Sequence, residues 1–270
     1  MAYERRKFLI ELFLAFIGGI LAGTLGGLLG IGGGIVLMPI LRFFVGLSPA
    51  VASGTCIVAV FFTTLGGCFR HYKLGHVNIR SILPVIIAGA ISTILFSLVF
   101  LYFTRRERWL DLGTGLVFSL ISLRMVIEGC GALTGKKAKE STGSEIRGST
   151  WGKMTIGGVA GILPGLLGIG TGAILVPAFA LFLKAPIKIA IGSSLACFSV
   201  NAFFSSLLKF FQGFVHLPVA LPICLGTLFG SSIGAILNKH FPSSVLKILF
   251  GIAFSYVSYQ YILIFFQGRS

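Results

Sequence analysis

Two short glycine-rich segments contain the residues of this chain that are best suited to binding a ligand. The first glycine segment is residues 30–34 (Gly-Ile-Gly-Gly-Gly) and the second glycine segment is residues 168–172 (Gly-Ile-Gly-Thr-Gly), and a proline follows each after five residues. Because glycine weakens helices, each segment predicts a break in the apolar run around it. Backbone N–H groups at the start of the next half-helix can bind an anion without a charged side chain. The predicted binding positions are Gly30, Gly32, Gly33, Gly34, Gly168, Gly170, Thr171 and Gly172.

Other interpretations of these segments must be weighed against anion binding. Either segment could be a packing kink that binds nothing. The second also fits the dinucleotide-binding pattern GxGxxA, which ends here at Ala173. That pattern functions only between a strand and a helix of a soluble unit, whereas this copy lies inside apolar runs. We therefore expect no nucleotide cofactor at this segment.

Hydroxyl, thiol and amide groups follow each glycine segment at related positions. Thr55 and Cys56 lie near the start of the next apolar run, and Ser193 and Ser194 occupy the matching positions of the second half. These groups, with Asn201 further along the chain, could donate hydrogen bonds to an oxyanion. Helix capping or hydrogen bonding between helices is the alternative role.

Basic side chains within apolar runs are the remaining candidates for ligand binding. Arg124 is the clearest case, and an ionisable residue at membrane depth is a functional candidate by default. It also lies near the end of its run, so it could extend to the interface instead, and Glu128 is correctly spaced to pair with it. Lys209, which matches His71 of the first half, could form part of a gate or simply flank the membrane.

The composition is that of a helical membrane protein. The 270 residues are 56% hydrophobic and only 11% charged, with a mean hydropathy of +1.00. Lys and Arg outnumber Asp and Glu by 22 to 7, which indicates positively charged loops, contact with anionic lipid and attraction of anions. We expect no nucleic-acid partner, because no basic face belongs to a soluble domain. The five cysteines form no CxxC pair, and no catalytic set of side chains is visible, so we expect no metal, no other cofactor and no enzyme.

The chain also repeats itself at an offset of 138 residues. Between residues 19 and 84, 20 of 66 positions are identical to their counterparts at this offset. Glycines four residues apart recur in both copies and predict faces for close helix packing: Gly19, Gly23 and Gly27, then Gly157, Gly161 and Gly165. We predict an all-α polytopic fold of two four-span repeats (1–129 and 154–270), joined by a polar linker (130–153). Each repeat would have a Gly-broken first helix or a re-entrant element. The charge distribution favours parallel repeats over inverted ones.

These motifs resemble those of the sulfite exporter TauE/SafE family, also called the toluene sulfonate uptake permease family. The match consists of Gly-Leu-Leu-Gly-Ile-Gly-Gly-Gly with Pro39, its echo Gly-Leu-Leu-Gly-Ile-Gly-Thr-Gly with Pro177, and the residues Ala52–Cys56 and Ala190–Ser194. The resemblance implies an inner-membrane secondary carrier for sulfur-containing anions such as sulfite, thiosulfate or organosulfonates. It also implies that the paired glycine motifs line the transport pathway. Two departures, Cys56 in place of serine and Thr171 in place of glycine, leave the substrate open.

We therefore expect a carrier that works by alternating access in the bacterial cytoplasmic membrane. Its partners would be a small anionic substrate, membrane lipids, a coupling proton and a second copy in a homodimer. An anion channel is the first alternative, and saturable, gradient-coupled flux would distinguish the carrier from it. A non-catalytic membrane subunit of a larger complex is the second alternative, and it would show no flux in reconstituted vesicles.

Overall fold

The computed structural model describes residues 2–29, 31–133, 146, 148–237 and 243–267, and this described part of the chain is helical without strands. Gly30 and residues 134–145 and 147 of the predicted linker lie outside it. The helices are α1 (Ala2–Leu29), α2 (Gly34–Pro39, continued by a π-helical turn Ile40–Phe44), α3 (Pro49–Lys73), α4 (Ile79–Thr104), α5 (Glu107–Leu133), α6 (Thr150–Leu166), α7 (Gly172–Pro177, continued by a π-helical turn Ala178–Phe182), α8 (Ile187–Phe211), α9 (Leu217–Leu237) and α10 (Ser243–Gln267).

Six of these helices are long and apolar enough to cross a membrane, namely α3, α4, α5, α8, α9 and α10. The prediction of an all-helical polytopic membrane protein is therefore confirmed. The helical stretch from Gly34 to Phe44 is apolar but has only 11 residues, or about 16 Å, which is roughly half the hydrocarbon thickness.

Local sequence signals explain several helix ends. Pro49 occupies the first turn of α3, where its missing N–H costs no hydrogen bond. The Asn78 side chain accepts a hydrogen bond from the Ser81 N–H at the start of α4, and Ser149 caps α6 by accepting one from Gly152.

Helices α3 and α8 form the buried centre of the fold. They are the most buried of the six spans and pack against each other. Around them, α1 packs on α9, α6 packs on α4, and α5 packs on α10. In two of these three outer pairs, the first helix of one half (α1 or α6) packs on a helix of the other half (α9 or α4).

Glycine spacing explains the closeness of two outer pairs. A Cβ added to Gly19 of α1 would lie 2.6 Å from the Ile223 carbonyl oxygen of α9. A Cβ added to Gly165 of α6 would lie 2.7 Å from the Thr93 carbonyl oxygen of α4. Both values are too short for a real Cβ, so the backbones touch. The predicted small-residue faces are confirmed for both helices.

The contacts also fix the direction of the central helices. Ser53, near the start of α3, contacts Lys209, near the end of α8. Gly192, near the start of α8, lies against His71, near the end of α3. Helices α3 and α8 are therefore antiparallel. The parallel arrangement that the charge distribution favours is wrong for this pair, because loop charges report only which side a loop occupies.

Helix α2 runs back along α1. Gly33 lies against Gly26, close to the end of α1, whereas Ile40 lies against Gly18, two turns earlier. The chain therefore reverses direction between Leu29 and Gly34. The contacts of α1 with α9 advance in the same direction along both helices, from residues 19 and 223 to residues 27 and 231, and those of α3 with α9 do the same, from residues 59 and 227 to residues 66 and 231. Helices α1 and α3 therefore both run parallel to α9, and the reversal of the chain at α2 makes this possible.

We expect Gly161→Leu to destabilise the fold strongly, because its Cβ would enter the α4 backbone, at 3.0 Å from the Thr93 nitrogen. Overpacking of this kind costs roughly 1–3 kcal/mol or more. The matched control is Gly158→Leu, one turn earlier on α6, where nothing lies within 4 Å of the added Cβ. Thermal unfolding in detergent should show a lowered Tm only for Gly161→Leu, and equal Tm values would contradict this account of the α4–α6 contact.

Candidate functional site

The two glycine segments meet in the interior of the bundle. A Cβ added to Gly34 would lie 2.9 Å from the backbone nitrogen of Gly170, and one added to Gly170 would lie 2.5 Å from the Ile31 carbonyl oxygen. Both segments are buried where the structure describes their side chains. The contact is therefore backbone against backbone, and a side chain at either glycine would separate the segments.

The backbone conformation of these segments also requires glycine. Gly32 and Gly33 have φ angles of +78° and +72°, and Gly168 has +68°. Such left-handed conformations are unfavourable for other residues. Thr171 replaces the third glycine of the second segment, and its φ of −92° makes that replacement possible. Gly30 lies outside the described residues.

Side chains of α3 and α8 enclose the contact. The Phe198 ring touches both segments, because a Cβ on Gly32 would lie 2.5 Å from its Cε1 and a Cβ on Gly170 would lie 3.2 Å from it. Thr63 and Thr64 of α3 line the first segment, and all three side chains are buried. The ring therefore fills the space in which a ligand could contact both segments.

Cys56 also lies at the first glycine segment. Its thiol donates a hydrogen bond to the Gly34 carbonyl, with an S···O distance of 3.5 Å, and its side chain is fully buried. Cys56, one of the predicted donors to an anion, thus lies beside this segment and donates to a backbone carbonyl there. The burial means that a thiol reagent could reach Cys56 only if the bundle opened.

The predicted hydroxyl groups have different environments. The Thr55 hydroxyl accepts a hydrogen bond of 3.0 Å from the His216 N–H, in the segment between α8 and α9, and Ser194 donates to the Ile191 carbonyl of its own helix. These two therefore have structural partners. In contrast, Ser193 is fully buried and its hydroxyl oxygen has no hydrogen-bond partner.

Two other predicted residues share this lack of partners. The Thr171 hydroxyl and the Asn201 amide oxygen are buried and unpaired. Thr171 belongs to the second glycine segment, and Asn201 lies against Gly89 of α4. Buried polar atoms are normally hydrogen-bonded, so these three groups are the predicted ones that protein partners leave available to a ligand.

Arg124 has a partner on its own helix. It donates a hydrogen bond of 2.7 Å to Glu128, one turn further along α5, and both side chains are more than a third exposed. The predicted pairing is confirmed. The pair therefore lies on the outer surface of α5 and away from the glycine segments, and pairs of this exposure contribute little to stability.

Lys209 is a buried cation that the sequence analysis did not include in the binding site. Its ammonium group donates a hydrogen bond of 2.6 Å to the Ser53 hydroxyl and lies 4.2 Å from the centre of the Phe100 ring. The side chain is fully buried. Its position inside an apolar run is the same signal that identified Arg124.

A buried ion pair anchors the π-helical turn that follows α2. Arg42 makes a bidentate contact with Asp111 of α5, at 3.2 and 3.0 Å, and also donates to the Leu47 carbonyl. Asp111 is 2% exposed. Sequence analysis missed this pair, because 69 positions separate the two residues.

Known proteins resemble this chain over most of its length. The family profile described as "Sulfite exporter TauE/SafE" matches residues 15–261. The probable membrane transporter protein YunE of Bacillus subtilis is 28% identical over 260 residues, covering 90% of this chain and 94% of the relative. A probable membrane transporter protein of Haemophilus influenzae is 30% identical over 262 residues, covering 87% and 92%. No solved structure matches the chain.

We expect Thr55→Val and Ser193→Ala to differ in stability, although the two residues occupy matching positions. Thr55→Val removes the acceptor of the His216 N–H and should cost about 1 kcal/mol. Ser193→Ala removes a buried hydroxyl without a partner and should be neutral or stabilising. Denaturant unfolding in detergent measures both, and a Ser193→Ala loss as large as that of Thr55→Val would contradict the assignment.

Proposed function

The chain belongs to the sulfite exporter TauE/SafE family, and from this membership we propose that it is a secondary transporter for a small sulfur-containing oxyanion such as sulfite, thiosulfate or an organosulfonate. Six apolar helices and relatives named as membrane transporters support an integral membrane protein that moves a solute rather than an enzyme. We propose the bacterial cytoplasmic membrane as its location.

The contact between the two glycine segments is the observation that carries this proposal. A helix that stops inside a membrane frees backbone N–H and C=O groups, and such groups are tolerated only inside protein or beside a water-filled cavity. Here the freed backbone of one segment faces that of the other, beside the unpaired hydroxyl of Thr171. We propose that the anion binds between them when the halves move apart and the Phe198 ring leaves this space, to backbone N–H groups and to the hydroxyl groups of Thr171 and Ser193.

We also propose that the two halves are inverted repeats that rock against each other. The contact of Gly19 with Ile223 has a counterpart in the contact of Gly157 with Val85. Gly157 follows Gly19 by 138 positions and Ile223 follows Val85 by 138 positions, so the two contacts are the same with the halves exchanged. The antiparallel α3 and α8 support inversion rather than parallel duplication. In transporters with inverted repeats, the substrate site lies where discontinuous helices of the two repeats meet.

Each half would then contain three full spans, α3, α4 and α5 or their counterparts α8, α9 and α10, preceded by a re-entrant pair of helices, α1 with α2 or α6 with α7. Such a unit enters on one side of the membrane and leaves on the other, because the re-entrant pair returns the chain to its side of entry and three spans follow. The predicted four-span repeat with a broken first element is replaced in this proposal by three spans and a re-entrant pair, which makes the halves inverted.

The test of transport is uptake or release of labelled sulfite, thiosulfate and a short organosulfonate in proteoliposomes. We expect flux that saturates and follows a gradient for at least one of them. Flux that does not saturate would favour a channel. A complete lack of flux for all three anions, with correctly folded protein, would reject the proposed substrate class.

We expect Gly32→Leu and Gly170→Leu to abolish transport, because each side chain would collide with Phe198 and separate the two segments. The matched control is Gly46→Leu. Gly46 has a similar φ of +75°, but nothing lies within 4 Å of its added Cβ, so it tests backbone strain without blocking the site. Normal flux in both segment variants would remove the glycine segments from the pathway.

Labelling of Cys56 tests alternating access. In a protein whose other four cysteines are replaced by serine, a water-soluble thiol reagent should react slowly with Cys56, since the thiol is buried here. Opening to one side exposes it, so the rate should rise when a gradient drives transport and fall at saturating substrate. A protein with only Cys130, which is exposed, is the control and should react at a constant rate. A Cys56 rate that ignores substrate and gradient would contradict the mechanism.

A further inference from the structure

A cluster of buried polar groups surrounds Lys209 at the end of α8. Its centre is the ammonium group of Lys209, which contacts the Ser53 hydroxyl of α3 and the Phe100 ring of α4. Ser97 lies one turn before Phe100 on α4, fully buried, and its hydroxyl oxygen has no partner. Gln212, one turn after Lys209, donates to the Ser97 carbonyl, while its own amide oxygen is buried and unpaired.

No carboxylate among the described side chains neutralises Lys209. The structure describes three acidic side chains, and each is engaged elsewhere: Asp111 with Arg42, Glu128 with Arg124, and Glu107 with Ser48. A buried ammonium group without a counter-ion is costly at membrane depth. One hydroxyl and one aromatic face replace only part of its hydration, because an ammonium group has three donors.

The cluster is also next to the proposed binding site. Ser53, which accepts the hydrogen bond from Lys209, touches the second glycine segment, because a Cβ on Gly168 would lie 2.6 Å from the Ser53 hydroxyl oxygen. The ammonium group is thus separated from this segment by a single hydroxyl group. An anion that leaves the glycine segments toward the end of α8 meets a positive charge and an unpaired hydroxyl.

We propose that Lys209, Ser53 and Ser97 form an anion-binding station, in which the Lys209 ammonium group pairs with one oxygen of the substrate and the Ser97 hydroxyl donates to another. The inference rests on the proposed transport of a small oxyanion and identifies the cation that binds it. Ser53 is the positioning residue, since it holds the ammonium group between the Phe100 ring and Gly168. The station recognises two oxygen acceptors and a negative charge, which sulfite, thiosulfate and sulfonates all provide.

The corresponding position of the first half holds a different group. His71 matches Lys209, and its ring lies against His76 and Gly192 at the opposite end of the α3–α8 pair. The Nε2 atom of His71 is buried and unpaired. The station built around an ammonium group is therefore specific to the end of the bundle at which α8 terminates.

Calorimetric titration of purified protein with sulfite and with thiosulfate tests the station. We expect Lys209→Met to raise Kd roughly ten- to hundredfold, since it removes a charged hydrogen-bond donor, and Lys209→Arg to recover part of the affinity. The matched control is Lys188→Met, an exposed lysine on the same helix, which should bind as the wild type does. The Tm of each variant without anion, and its rise on adding anion, separate a fold defect from lost binding.

If Lys209→Met does not fold, Ser97→Ala provides the second test, because it removes a hydroxyl that has no partner and should leave the fold intact. We expect it to raise Kd several-fold. Wild-type affinity in Lys209→Met, or in Ser97→Ala when the former is unfolded, would overturn the station while leaving transport by the wild type unaffected. A loss of affinity that Lys188→Met shares would overturn it as well. If the wild type itself binds and transports none of the anions, the proposed function fails first.

Discussion

In the hydrocarbon layer of a membrane, a backbone N–H or C=O group without a partner costs several kcal/mol, and this cost governs the whole arrangement. The chain leaves the helical conformation between Leu29 and Gly34 and again between Leu166 and Gly172. Both interruptions are buried against each other and beneath α3 and α8, the two most buried spans. The contact depends on Gly34 and Gly170, because any side chain at either position would hold the freed backbone groups apart.

The outer helices also pack with their backbones in direct contact. Gly19 on α1 and Gly165 on α6 bring their helices against carbonyl groups of α9 and α4. Lipid tails are as apolar as leucine, so helix association in a membrane relies on close packing of this kind. The glycines therefore do two jobs: those with positive φ reverse the chain, and those with helical φ allow the helices on either side to approach.

Sequence patterns predicted much of this architecture and little of its pairing. The four-residue spacing of Gly19, Gly23 and Gly27 identifies a helix face, but no local property of that face specifies α9 as its partner. The direction of α3 relative to α8 was also beyond the sequence, since it depends on whether the chain reverses at residues 30–34. Loop charge indicated the wrong direction for this pair, while the short half-helix after residues 30–34 allowed a re-entrant element without requiring one.

The residues of the candidate site were also predicted in part from the sequence, and in part only the structure located them. The two glycine segments were predicted as binding elements from their composition and offset alone, and the structure brings them into contact. The depth of a side chain could not be predicted in this way. Arg124 and Lys209 both interrupt apolar runs, yet one pairs with Glu128 on the partly exposed surface of α5 and the other is fully buried. What separates them is the set of helices packed around each, which only the tertiary structure provides.

The two half-helices that follow the glycine segments are held in place by different interactions. Arg42 and Asp111 fasten the turn after α2 to α5, but Ala180 and Leu249 stand at the matching positions, so the turn after α7 has no such ion pair. A buried ion pair is costly to break on one side only, since about 3–5 kcal/mol is lost when a single partner is removed. The first half-helix is thus tied to its own half by charge. The second is held by apolar packing, with the buried Phe179 beside it, and the only fully buried cation near its glycine segment, among the described residues, belongs to α8. Two halves with the same course of the chain therefore differ in what fixes the half-helix that follows each glycine segment.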